Sequence, residues 1–76
     1  MNEIFEKVVK FIEDEFDIID VNMNNTFYEL YMDELDIADL FLLIEDEFGI
    51  EFSDEEFDSV KSIDKLVNLI NEKKTF

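Results

Sequence analysis

Apolar residues return at three- and four-residue steps in three separate stretches of this chain, and that spacing constrains its fold more than any other feature. Ile4, Phe5, Val8, Val9, Ile12 and Phe16 form the first stripe. Ile37, Phe41, Ile44 and Phe48 form the second, widened by Leu40 and Leu43. Ile63, Leu66, Val67 and Ile70 form the third. A period near 3.6 gathers each set on one side of a helix, whereas a half-buried strand would alternate every second residue. With no proline and one glycine in 76 residues, the connections must be built from Asn, Asp and Ser. That suits helices joined by polar turns better than a sheet with glycine-rich hairpins. The apolar fraction of 47%, with nine Phe, is enough for a globular fold. A chain this short buries only about 60% of its unfolded surface, so one modest core and one domain, 1–76, are expected.

The helix ends are written in the capping residues. The first helix is expected over about Asn2 to Phe16, with Phe11 at the edge of its stripe. Lys7 and Lys10 are the only cations in the first sixty residues, and each is expected to pair along that helix with Glu3, Glu6 or Asp14. The second helix opens at Asp33-Glu34-Leu35-Asp36. Asp33 can accept from the free N–H groups of the first turn, and Asp36 can reach back toward the cap. Acids there also face the positive end of the helix dipole. This helix runs from about Glu34 to Phe48 and closes at Gly49, which takes the left-handed conformation readily. Ile50 and Phe52 are expected to point inward. Ser53 and Glu56 form a capping box for a short helix that ends near Ser59 and buries Phe57. Ser62 is expected to cap the last helix, with Lys73 and Lys74 near its C-terminus and Thr75 and Phe76 frayed. From Asp17 to Met32 the periodicity dissolves. Asn22-Met23-Asn24-Asn25-Thr26 is turn-forming, and Phe27, Tyr28, Leu30 and Tyr31 predict a long loop folded back over the core.

Several chemistries are excluded by what the chain lacks. Without Cys there is no disulfide or thiolate metal site, and without His the commonest general base and metal ligand is gone. The acids around Gly49 fail the calcium-loop pattern, since Ile44 and Phe48 fall on ligand positions. Paired carboxylates have no specificity among 22 acids. An enzyme and a specific metal site are therefore not expected. The N-terminus lacks a basic start and apolar block, and the longest apolar run is Leu40 to Ile44. A cytoplasmic location without a membrane span is expected. The net charge of −16 repels nucleic acid and anionic membranes and attracts basic protein surfaces. It also strains the fold, so low pH or moderate salt should stabilise it.

The stretch Asp33-Glu34-Leu35, the long first loop with Asn25-Thr26-Phe27, and the run from Glu45-Asp46-Glu47-Phe48 through Ile50 and Phe52 to Ser53-Asp54-Glu55-Glu56 together resemble the acyl carrier proteins. The likeness covers about Phe5 to Ile70. It implies an all-α, acyl-carrier-type four-helix bundle, with three longer helices, one short helix and a long first loop. In that family the second helix opens with Asp-Ser-Leu, and the serine carries phosphopantetheine. Glu34 stands at the serine here, and Tyr31 stands where a glycine is often found. The resemblance therefore implies a carrier-like module with no phosphopantetheine. It implies docking through Asp33, Glu34, Leu35, Asp36, Asp39 and Glu47 onto basic surfaces of acyl- or peptidyl-processing enzymes. A solvated helix face is the plain alternative for these acids. A non-covalently held acyl chain is a further ligand to consider, and a monomer is expected. Two other readings stay open: an acyl or peptidyl carrier whose attachment serine has been substituted at Glu34, and an acidic decoy that mimics nucleic acid.

Overall fold

The computed structural model describes residues 3–74. Four helices follow one another: α1 (Glu3–Phe16), α2 (Glu34–Phe48), α3 (Asp54–Ser59) and α4 (Ile63–Lys74). Among the described residues there is no strand, only an isolated bridge between Thr26 and Ser62. The expected helix start at Asn2 and the frayed Thr75 and Phe76 lie outside the described residues.

Each apolar stripe reaches the core. Val8 and Ile12 of α1, Leu40, Phe41 and Ile44 of α2, and Ile63, Leu66, Val67 and Ile70 of α4 are buried. Among the described residues no polar or charged residue is buried with them, so this interior is held by apolar packing, without a polar network to satisfy. α1 lies against both α2 and α4. Phe41 is the hub of an aromatic cluster. Its ring centroid is 4.7 Å from Phe52, 5.1 Å from Phe57 and 6.4 Å from Phe27. These contacts bring the first loop, the connector after α2 and α3 onto one side chain, mostly in the edge-on geometry that suits ring quadrupoles.

The first loop is ordered by its own polar groups. Asn22 and Asn25 exchange bonds across the turn, with the Asn22 N–H donating to Asn25 Oδ1 at 2.9 Å and the Asn25 N–H to the Asn22 carbonyl at 3.1 Å, while the Asn24 N–H donates to Asn22 Oδ1 at 3.0 Å. Thr26 and Glu29 clasp reciprocally, at 3.0 and 3.1 Å. Phe27, Leu30 and Met32 are buried beneath. The loop also starts α4. The Ile63 N–H donates to the Asn25 carbonyl and the Asp64 N–H to the Met23 carbonyl, so loop oxygens satisfy donors that a helix N-terminus leaves open.

Four expectations need correction. Phe57 is only half-buried against the core, and α3 contributes no fully buried residue. Ser62 does not cap α4 with its side chain. Its hydroxyl donates to Asp64, which holds that carboxyl below its usual range, while the loop carbonyls do the capping. Lys10 pairs with Asp14 as expected, but Lys7 crosses to Glu47 of α2 at 2.6 Å rather than pairing along α1. The loop folds back over the core only in part: Tyr28 and Tyr31 are 89% and 92% exposed.

Candidate docking face on the second helix

The geometry of the face begins at its cap. Asp33 is extended, with φ −88° and ψ −179°. Its carboxylate accepts the Asp36 N–H at 2.9 Å, and the Asp36 carboxylate accepts the Asp33 N–H at 3.3 Å. This is a capping box in which the shorter Asp replaces the usual Glu or Gln. Met32 before the cap and Ile37 in the next turn both belong to the core cluster, at the positions of a hydrophobic staple. Gly49 ends the helix at φ +68°, and its N–H donates to the Glu45 carbonyl at 2.9 Å.

Between these caps, the acids of α2 sort into two groups. Asp33 and Asp36 serve the cap. Glu45 accepts the Phe52 N–H at 2.8 Å and anchors the connector to α3. Glu47 binds Lys7, whose pKa is raised first by that hydrogen bond and then by the charge of Glu47. Glu34, Asp39 and Asp46 are exposed, with no partner among the described residues. Leu35 and Leu42 are also exposed, at 75% and 62%. Leu35, Asp39, Leu42 and Asp46 are spaced by four, three and four, so they share one outward stripe opposite the buried Leu40, Phe41 and Ile44. The structure thus presents Glu34, Leu35 and Asp39 together beside the cap and turns Glu47 toward α1. Leu42 and Asp46 extend the docking set expected from sequence. Leu42 lies inside the continuous apolar run yet off the core stripe, and that mismatch was the available signal.

The first turn of α2 offers two carboxylates and an aliphatic chain but no hydroxyl. The serine and threonine hydroxyls among the described residues are engaged elsewhere. Thr26 and Ser53 accept the N–H groups of Glu29 and Glu56, Ser59 donates to the Glu56 carbonyl, and Ser62 donates to Asp64. Thr75 lies outside the described residues. No group of three or more acids is placed to hold a metal ion among the described residues. No described helix is long and apolar enough to cross a membrane.

Residues 3–70 match the phosphopantetheine attachment site family. The acyl carrier protein of Petrotoga mobilis is 36% identical over 75 residues, covering 95% of this chain and 88% of that protein. The chain belongs to the acyl carrier family. The acyl carrier protein of Clostridium acetobutylicum is 40% identical over 70 residues, covering 88% of this chain and 91% of that protein. In three dimensions, the acyl carrier protein of Thermotoga maritima matches with a TM-score of 0.84 at 29% identity, over 93% of this chain and 86% of that one. The four-helix acyl-carrier architecture is thereby established. Acyl carrier proteins are carriers and not enzymes, and they interact with acyl-processing enzymes. The family carries phosphopantetheine.

Proposed function

We propose that this acyl carrier family member is a docking module that is not loaded with phosphopantetheine. The observation that carries the reading is the first turn of α2, where Glu34 is exposed and no hydroxyl is present. A phosphodiester to the arm needs a side-chain hydroxyl, and a carboxylate supplies none, so this turn does not fit the group. Glu34 instead places a fixed negative charge at the positive end of α2. Asp33, Glu34, Leu35, Asp36 and Asp39 then form a surface for basic patches on acyl- or peptidyl-processing enzymes. Glu47 adds to the field, but its charge is shared with Lys7. Leu35 supplies apolar contact amid the acids, as interface centres commonly do.

A competition assay tests the docking half of this reading. The chain is titrated against a labelled acyl carrier protein bound to an acyl-carrier-dependent acyltransferase. The natural chain is expected to displace the label, and Asp39→Lys or Leu35→Ala is expected to weaken displacement by about tenfold. Neither side chain takes part in the caps or the core, so both variants should fold. Glu47→Gln is expected to cost less. No displacement by the natural chain, or equal displacement by the Asp39 and Leu35 variants, contradicts the reading.

A further inference from the structure

We propose a second docking site in the groove between the end of α1 and the turn that precedes α2, which borders the first face at Asp36 but lies off the outward stripe of α2. Its occupant would be a segment of a partner protein in which arginine or lysine flanks one large apolar side chain. This goes beyond the carrier reading and does not depend on whether Glu34 blocks loading.

Phe16, Ile18 and Leu30 line the groove, with Ile19 and Tyr31 beside them. Ile19 is 74% exposed and Tyr31 is 92% exposed, a large apolar area for a chain of this size to leave in water. The ring of Tyr31 is displayed from an ordered turn. The Tyr31 N–H donates to the Tyr28 carbonyl at 3.0 Å, the Met32 N–H donates to the Phe27 carbonyl at 3.1 Å, and Met32 beyond is buried. Tyr31 itself has φ +60°. That conformation costs a side chain with a Cβ about 1–2 kcal/mol, and a bulky residue held there is a feature to explain.

Charge identifies the occupant. Glu15, Asp17, Glu29 and Asp36 complete the lining, and no lysine is part of it. An anionic rim around apolar walls repels acidic peptides and anionic lipid and favours a cationic segment. A guanidinium can stack on the exposed phenol ring of Tyr31 while an apolar side chain enters toward Phe16 and Leu30.

The test uses the full natural chain in an NMR titration. The probe is a short acetylated peptide carrying arginines on both sides of a central tryptophan. Amide shifts are expected to concentrate at Ile18, Ile19, Leu30 and Tyr31. Tyr31→Gly relieves the backbone while removing the ring, so it should fold and weaken binding about tenfold. Tyr31→Phe should retain binding, and replacing the tryptophan of the peptide with glycine should weaken it. Three results would overturn the proposal: equal affinity for Tyr31→Gly, shifts spread over all the acidic surface, or binding to neutral phosphatidylcholine vesicles without binding to the peptide.

Discussion

At the scale of single residues, the backbone shows where sequence and conformation agree and where they do not. Asp17 and Asp20 take φ +57° and +62°, and Asp tolerates the left-handed region through local hydrogen bonding. Tyr31 has no such compensation at φ +60°. Tyr31→Gly is therefore expected to raise the free energy of unfolding by up to about 1 kcal/mol in urea denaturation, after the entropic cost of glycine is deducted. A loss of stability would show that the ring contributes packing that its exposure hides. Glu56 gives a pH-dependent case. Its carboxylate accepts the Ser53 N–H and then pairs with Lys73 at 3.0 Å, and its pKa lies below the ordinary 4.5. A lowered folded-state pKa contributes stability that is present above the unfolded value and lost as pH falls through the folded one. Replacing Glu56 with Gln is expected to flatten the acid limb of the stability curve below about pH 4.5. An unchanged slope would place the acid sensitivity elsewhere.

At the scale of elements, α2 was legible at both ends because Asp33 and Gly49 act through local geometry. Removing the cap by Asp33→Ala should cost about 1 kcal/mol, read from the thermal midpoint. The start of α4 was not legible, because the Asn25 and Met23 carbonyls that satisfy it come from a loop about forty residues earlier in the chain. Lys7 is a similar case. Helical spacing offered it partners on α1, but the packing of α1 on α2 brought Glu47 closer. Helical period likewise identified which residues of α2 are inward. The bond from the Phe52 N–H to the Glu45 carboxylate could be seen only once the chain had folded. Phe41 binds the elements together through Phe27, Phe52 and Phe57. Phe41→Ala should cost roughly 3–5 kcal/mol, enough to unfold much of a small domain. Near-natural stability for this variant would show that the aromatic cluster is dispensable.

Over the whole molecule, a core that is apolar throughout the described residues opposes a net charge of −16. Added salt screens that repulsion, so the thermal midpoint should rise between low and moderate salt. A flat response would mean that the acids are already spaced widely enough not to interact. Acidification relieves the same repulsion, but it also protonates Glu56 and Asp64, whose lowered pKa values show that the fold favours their ionised forms. Salt is thus the cleaner variable. The central claim is that a carrier-family molecule is kept unloaded by the side chain at the first position of α2. An intact-mass spectrum after co-expression with a promiscuous phosphopantetheinyl transferase tests it directly, with Glu34→Ser beside the natural chain. The account predicts that only the serine variant gains the mass of the arm. A natural chain that gains it, or a serine variant that does not, would contradict the account.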